Sequence, residues 1–227
     1  MSIQPVMGGS SINYVMAVSR PPSASKWFLA GGVNAANCIA AYAPKGAASL
    51  AASYTNLANP GTYNAAPGVA PTFDTATGWT FNGSQWLNTS ITPRRSGDSL
   101  VVRISDFTGG AYAAGAYDGT SGSCMFELRN TDGRIRYSNG STALTITRGG
   151  LLSGTHVLGV SNRGFYDGTD EGAVPSDTGT QTNPIYIARI SGYFGGLFIG
   201  KIQAIAIYNT TLTAPQVAAI SSAMSLL

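Results

Sequence analysis

One stretch near the C-terminus carries the strongest structural signal of this sequence: GYFGGLFIGKIQAIAIYNTTLTAPQVAAI, residues 192–220. Its aromatic and β-branched residues favour a strand over 198–208. Thr213 then stands three residues before Gln216, which is the spacing of a capping box, and Pro215 falls within the first turn of the helix that would follow. Three apolar residues recur at helical spacing: Val217, Ile220 and Met224. The stretch predicts a strand followed by a short amphipathic helix that packs on a sheet.

Further strands are predicted upstream of this stretch. From Trp79 onward, short β-branched and aromatic runs alternate with Gly, Asn and Asp at roughly ten-residue spacing. Additional strands are expected over 99–104 and 185–190. Three pairs of runs flank turn residues and predict hairpins: 80–81 and 86–88 around Asn82-Gly83, 125–129 and 134–137 around 131–133, and 155–161 and 165–166 around 162–164. The fold class predicted is all-β, an antiparallel β-sandwich with a short C-terminal helix.

The first sixty residues differ in composition from the rest. Alanine is concentrated over 35–52. We expect a strand to begin at 27–30, one or two helical turns over 45–54, and an irregular loop over 56–78 that wraps the domain. The predicted organisation is an N-terminal extension over residues 1–60, whose Ala-rich segment packs on the sandwich, and a β-sandwich domain over residues 61–227.

Charged side chains are scarce. The 13 basic and 10 acidic residues make up 10% of the 227 residues, against roughly 25% in ordinary soluble domains. The net charge of +3 is spread thinly, so no nucleic-acid partner is expected. A zinc site would need the single histidine, His156, with Cys38 and Cys124, and these lack the paired spacing of zinc ligands. We predict buried free thiols for the two cysteines, with one disulfide as the alternative.

Neither a secretory signal nor an apolar run of about 18 residues is recognisable. We therefore expect a soluble protein without a membrane partner.

The quoted stretch, 192–220, resembles the closing segment of laminin-G-like and pentraxin-like domains, the concanavalin A-like jelly rolls. In that family a glycine precedes a strand ending in an aromatic residue, followed by an Asn turn, a Leu, a capping Thr or Ser and a short helix. His156-Val157 and the turn at 162–168 resemble a hairpin of the same family, although Thr155 stands where the family has a tryptophan. The resemblance covers about residues 79–220 and implies a jelly-roll fold, with little bearing on activity.

A second resemblance concerns residues 37–61 and the segment GWTFNGSQWLNT, residues 78–89. They are similar to segments of phage and prophage structural proteins that contain a jelly roll. The similarity implies a virion component, a capsid decoration or tail-associated protein, assembled in the host cytoplasm. Its expected partners are other virion proteins or copies of itself, as a homo-oligomer or assembly component, together with glycans.

Calcium is the ion that this fold resemblance favours, because related jelly rolls bind it in loops at one rim. The densest acidic cluster consists of Asp167, Asp170 and Glu171, which we predict as metal ligands. Asp-Gly is also a common turn dipeptide, so turn formation without a metal is the alternative reading.

Sugar binding would use aromatic platforms and uncharged polar groups. The candidate ligand-binding residues are Trp27, Trp79, Trp86, Tyr112 and Tyr117. The alternative is that the tryptophans fill the core or cover its edge, with Trp79 and Trp86 pairing across the Asn82-Gly83 hairpin.

Enzymatic chemistry finds little support in the sequence. Glycosidases of this fold place two carboxylates on one strand as Glu-x-Asp-x-Glu, a pattern that is missing here, and Glu127 and Glu171 are the two glutamates of the chain. No Gly-x-Ser-x-Gly elbow accompanies His156. The leading hypothesis is a non-enzymatic virion structural or surface protein. The alternatives are a stand-alone carbohydrate-binding or adhesion module, which would be extracellular, and a glycoside hydrolase of the same fold.

Overall fold

The strands of this protein pair into two antiparallel sheets. A computed structural model describes residues 26–94, 96–119, 122–129, 131–140, 142–149, 152–175, 181–192 and 195–227. Within these residues the helices are α1 (Leu50–Ser53) and α2 (Ala214–Ser225), with 3-10 helices at Trp27–Leu29 and Ala35–Asn37. The strands are β1 (Cys38–Tyr42), β2 (Ala66–Val69), β3 (Thr72–Asp74), β4 (Gly78–Asn82), β5 (Trp86–Asn88), β6 (Ser99–Gly109), β7 (Tyr112–Tyr117), β8 (Gly122–Arg129), β9 (Arg134–Gly140), β10 (Ala143–Thr147), β11 (Thr155–Val160), β12 (Arg163–Tyr166), β13 (Thr169–Ala173), β14 (Tyr186–Ile187) and β15 (Ile199–Tyr208).

Sheet A has the strand order β13-β12-β11-β6-β15-β4-β3, and β1 also pairs with β15. Sheet B has the order β10-β9-β8-β7-β14-β5-β2. The predicted all-β antiparallel sandwich is confirmed. The strand predicted from residues 198–208 is β15, which pairs with three strands and is central to sheet A.

A large apolar core fills the space between the sheets because each strand alternates inward and outward side chains. The largest fully buried side chains of this layer are Trp79, Tyr42, Tyr137, Phe81, Phe126 and Phe198. A second apolar cluster lies on the outer face of sheet A, where α2 and the Trp27–Leu29 helix cover the strands.

The predicted C-terminal helix is confirmed as α2. Gln216 reaches back so that its Oε1 accepts a 3.0 Å hydrogen bond from the backbone N–H of Thr213. The helix buries Val217, Ile220 and Met224, the apolar face expected from their spacing. Within the described residues, no helix is long and apolar enough to cross a membrane.

Two of the three predicted hairpins are confirmed, namely β8–β9 and β11–β12. The hairpin at Asn82-Gly83 was predicted wrongly, because β4 lies in sheet A and β5 lies in sheet B. Asn82 and Ser84 form a local side-chain turn, and the chain crosses there from one sheet to the other. Trp79 and Trp86 therefore do not pair across a hairpin.

The N-terminal part also differs from the sequence prediction in local structure. Residues 27–30 were expected to begin a strand, but residues 27–29 form a 3-10 helix whose Trp27 and Phe28 pack in the cluster under α2. The expected loop over 56–78 contains β2 and β3. The short helix predicted within 45–54 is confirmed as α1. Residues 1–25 of the predicted extension lie outside the described residues, and residues 38–42 form β1 in sheet A.

The two cysteines are free and buried, as predicted.

Candidate functional site

The outer faces of the two sheets differ in whether helices pack against them. α2 contacts β6, β11 and β13, and α1 contacts β3, so both helices pack against sheet A. Within the described residues, neither α-helix packs against the outer face of sheet B as closely as it packs against sheet A. That face is therefore the more accessible of the two for a ligand that lies along the strands.

Three side chains converge on this face near the β5 end of sheet B. Leu87 and Ile187 are fully buried in the core, so their neighbours Trp86 and Tyr186 point outward. The rings of Trp86 and Tyr186 stack with centroids 4.5 Å apart and planes inclined by 30°. The Arg189 guanidinium carbon lies 5.2 Å from the centre of the Trp86 ring. We call Trp86, Tyr186 and Arg189 the aromatic site.

The backbone around the aromatic site is shaped to admit the indole. A Cβ atom added at Gly68 of β2 would lie 2.0 Å from Cζ2 of Trp86, so only glycine allows this approach. Val69, the register partner of Trp86, is 47% exposed and extends the apolar surface towards the edge of the sheet. The rings are thus held by their neighbours before any ligand arrives.

The other predicted ligand-binding residues lie in different surroundings. Trp27 and Trp79 are buried, and the indole N–H of Trp79 donates a 2.7 Å hydrogen bond to Ser53 Oγ. Neither ring presents an exposed face on which a sugar could stack, which agrees with the core-filling alternative. Tyr112 and Tyr117 are half-buried on β7; Tyr112 is the register partner of Glu127, and the Tyr117 hydroxyl donates to the carbonyl of Gly119.

Tyr186 and Arg189 were missed as site residues by the sequence analysis. The strand predicted at 185–190 contained both, and the alternation around Ile187 would have pointed Tyr186 outward. Their proximity to Trp86 depends on the pairing of β14 with β5, which sequence spacing does not reveal.

The carboxylates predicted as calcium ligands are each engaged by another group. Asp167 accepts hydrogen bonds from the Val157 N–H and lies 2.9 Å from His156 Nδ1. Asp170 pairs with Arg163, which lowers the pKa of that carboxyl. Within the described residues no group of three or more His, Cys, Asp or Glu side chains could hold a metal. Calcium binding stays a prediction, and it would require these carboxylates to exchange their present partners.

Glu171, the third predicted metal ligand, joins the two sheets at one rim. Its Oε2 accepts a 2.6 Å hydrogen bond from the Tyr137 hydroxyl, and its Oε1 pairs with Arg148. Burial raises the pKa of Tyr137 above its ordinary value, and the bond to Glu171 raises it further. The hydroxyl therefore remains a hydrogen-bond donor and is not activated as a nucleophile.

The two glutamates lie on different sheets, Glu127 on β8 of sheet B and Glu171 on β13 of sheet A. Glu127 pairs with Arg134 and Arg136, at 2.6 and 3.0 Å, whereas Glu171 bonds to Tyr137. Arg136 and Tyr137 are successive residues of β9, so their side chains project from opposite faces of that strand. The two glutamates therefore contact opposite faces of β9. Glycosidases need their two carboxyl groups about 5 to 10 Å apart across one bond. Glu127 and Glu171 do not form such a pair.

Both ring nitrogens of His156, on β11, lie within hydrogen-bond distance of neighbouring groups. Its Nε2 lies 2.8 Å from the carbonyl oxygen of Ser153 and 3.1 Å from the Tyr166 hydroxyl, and its Nδ1 faces Asp167. The imidazole packs against the Tyr166 ring, with centroids 4.7 Å apart and planes inclined by 31°. These contacts agree with the interpretation of His156 as a structurally satisfied strand residue.

Comparisons with known proteins show likeness in structure alone. No protein-family profile matches the chain, and no curated protein matches it in sequence. Domain 4 of the extracellular GH43 arabinanase of Geobacillus stearothermophilus, solved with arabinotriose, superposes with a TM-score of 0.51 at 16% identity, over 82% of this chain and 98% of that domain.

Two larger proteins contain a similar fold in part of their length. A Trypanosoma rangeli sialidase, in complex with 2,3-difluoro-KDN, gives a TM-score of 0.54 at 15% identity over 92% of this chain and 36% of the sialidase. The receptor-binding domain of a botulinum neurotoxin C/D mosaic gives 0.54 at 10% identity over 83% of this chain and 52% of that domain. The chain thus spans about a third and about half of these two proteins. At such identities the likeness establishes the β-sandwich fold.

Proposed function

We propose that this protein is a non-enzymatic β-sandwich module that binds a glycan at the aromatic site. The observation that carries the proposal is the stacked Trp86–Tyr186 pair on the outer face of sheet B, whereas the two α-helices of the described residues pack against sheet A. Sugar rings pack their C–H faces against aromatic side chains, and their hydroxyl oxygens accept hydrogen bonds from groups such as the Arg189 guanidinium. A single site thus combines an apolar surface with a polar donor.

Preorganisation strengthens the proposal. Trp86 is packed against Gly68 and stacked on Tyr186, so its orientation does not have to be ordered on binding. Ordering a free side chain costs about 0.5 to 1.5 kcal/mol, which a ligand at this site would not have to offset.

The structural comparisons support the same class of ligand. The similar arabinanase domain was solved with arabinotriose, and the similar sialidase was solved with a sugar analogue. The similar toxin domain is described as receptor-binding. We take arabino-oligosaccharides and sialylated glycans as the first ligands to test on this chain.

The proposal is tested with a glycan array followed by calorimetric titration of any hit. Trp86→Ala and Tyr186→Ala are expected to weaken binding by about tenfold or more, since aromatic contacts of this kind contribute on the order of 1 to 3 kcal/mol. Tyr63→Ala is the matched control, because Tyr63 is 42% exposed and belongs to neither sheet. Absence of saturable binding, or equal binding by the Trp86 variant, would refute the glycan proposal.

A second candidate is the virion structural or surface protein, a capsid decoration or tail-associated component. It is supported by the low charge, because a chain with 10% charged residues and a net charge of +3 repels its own copies weakly. The partners would be copies of this chain or other virion proteins. Native mass spectrometry of the purified protein and its detection in particles would test this role, and a monomer never found in particles would contradict it.

A glycosidase is the third candidate. Turnover of arabinan, sialylated substrates or β-glucans by the purified protein would establish it over a binding role.

A further inference from the structure

A cavity of about 490 Å³ is lined by residues of α1, by residues 43–47 and by Leu227, which follows α2. It is separate from the aromatic site, which lies on sheet B. Its apolar wall consists of Trp27, Ala43, Ala47, Ala52, Leu57 and Leu227. Small-molecule sites typically have volumes of about 300 to 1,000 Å³ and mostly apolar walls with a few polar groups, and this cavity falls in that class.

Among the described residues that line the cavity, one side chain is charged, that of Lys45. Its ammonium donates to the main-chain oxygen of Leu227, which uses one of its three N–H groups. Arg103 donates to the same oxygen at 2.8 Å. In the 227-residue chain this oxygen belongs to the carboxylate of the last residue, so two cations share one carboxylate and one positive charge stays uncompensated at this end of α2. Burial lowers the pKa of Lys45, and the nearby Arg103 lowers it further. An anionic group placed beside Lys45 would stabilise the charged ammonium and raise its pKa again.

Two hydroxyl groups of the cavity wall are already engaged. Ser53 Oγ donates to the carbonyl of Leu50 and accepts from the indole of Trp79. Thr75 Oγ1 donates a 2.7 Å hydrogen bond to the carbonyl of Ala47. Among the described lining residues, Lys45 is the charged donor and keeps N–H groups that Leu227 does not use, and none of them is Asp or Glu.

We propose that this cavity binds an amphipathic carboxylate, with the apolar chain against Trp27, Ala52 and Leu57 and the carboxylate on Lys45. The charge complementarity and the apolar wall together select the ligand class. A neutral sugar would leave the apolar wall unfilled, and a cation would face Lys45 and Arg103. This site is independent of the glycan proposal and can be tested whatever the outcome there.

The test is calorimetric titration of the full chain with decanoate at concentrations where decanoate is monomeric. Saturable one-to-one binding is expected. Decyltrimethylammonium, which has the same chain length and the opposite charge, and acetate, which lacks the chain, are expected to bind at least tenfold more weakly.

Two variants locate the site. Lys45→Met removes the charge while keeping the aliphatic stem, and Ala52→Trp places a large ring at an exposed helical position that lines the cavity. Each should weaken decanoate binding by about tenfold or more, since a charge-assisted hydrogen bond contributes on the order of 1.5 to 3 kcal/mol. Lys26→Met and Ala51→Trp are the matched controls, because both residues are exposed neighbours outside the lining.

The proposal is overturned if the unmodified protein shows no saturable decanoate binding. It is also overturned if decyltrimethylammonium binds equally well, or if Ala52→Trp binds decanoate like Ala51→Trp. Circular dichroism melts accompany each variant. If Lys45→Met fails to fold for want of its contact with Leu227, the comparison of the two alanine variants decides the outcome.

Discussion

The Tyr137 hydroxyl and the Glu171 carboxylate form a 2.6 Å hydrogen bond that joins β9 of sheet B to β13 of sheet A. Tyr137 is fully buried, and 11% of the Glu171 side chain is exposed. The bond therefore closes one rim of the sandwich in a largely dehydrated setting, where a polar group that loses its partner is costly.

Removing this bond is expected to destabilise the fold. Tyr137→Phe should lower the free energy of unfolding by roughly 1.5 to 3 kcal/mol, the range for hydrogen bonds to charged groups. Urea denaturation measures the change, and a double-mutant cycle with Glu171→Gln isolates the coupling between the two side chains. Tyr54→Phe is the control, because the buried Tyr54 hydroxyl has no partner within the described residues and its loss should be close to neutral. Equal effects of the two tyrosine variants would contradict this prediction.

The glycine beneath the aromatic site should be indispensable for the Trp86–Tyr186 stack. Gly68→Ala would place a methyl group 2.0 Å from the indole and force the ring to move. We expect a change in the near-ultraviolet circular dichroism and in glycan binding, with a small effect on the sandwich as a whole. Gly109→Ala is the matched control, since its Cβ would meet its nearest neighbour at 3.7 Å, an ordinary contact. An unchanged aromatic spectrum in the Gly68 variant would show that the indole is not held as described.

Ser53 holds the indole of the buried Trp79. Ser53→Ala leaves that N–H without its 2.7 Å acceptor in the core, at a cost of about 1 to 3 kcal/mol. The melting temperature should fall by several degrees, whereas Ser222→Ala, at an exposed position on α2, should leave it nearly unchanged. A Ser53 variant as stable as the Ser222 variant would refute the importance of this bond.

Stability should decline at alkaline pH. Burial raises the pKa of Cys38 from about 9 to about 12, and it also raises the pKa values of Tyr42 and Tyr208. Above about pH 9 the unfolded chain loses these protons while the folded chain keeps them, so rising pH favours unfolding. The contribution is complete below pH 9 and is lost progressively between about pH 9 and 12.

Urea denaturation at pH 7, 9, 10 and 10.5 measures this decline. Each such group adds a slope of up to about 1.4 kcal/mol per pH unit above its unfolded pKa. Cys38→Ala should decline less steeply because one titrating group is missing. Identical slopes in the two proteins would argue against a protonated buried thiol at position 38.

Local turn and capping chemistry was readable from the sequence. The β8–β9 and β11–β12 hairpins and α2 were predicted correctly, because each depends on residues that are neighbours in the chain. Asn82-Gly83 shows the limit of the same reasoning. An Asn-Gly pair favours a turn, but whether the flanking strands pair with each other depends on distant partners: β15 for β4, and β14 for β5.

The aromatic site likewise combines a residue that the sequence identified with residues that only the tertiary structure brings to it. Trp86 was recognised among the candidate ligand residues, whereas its partners Tyr186 and Arg189 were not, since about a hundred residues separate them along the chain. Trp27 and Trp79 were candidates on equal terms with Trp86, and their burial distinguishes them. Aromatic composition identifies rings that are able to bind a ligand, while their accessibility follows from how the layers stack.

The alternation of side chains and the turn residues were sufficient to specify strands, an antiparallel sandwich and a C-terminal helix, because these depend on short-range backbone preferences. The assignment of each strand to its sheet, the convergence on Trp86 and the cavity beside Lys45 arose from pairings across the whole chain. Those pairings are selected by burial of the common core, a property of the packed layers that no local stretch of residues contains.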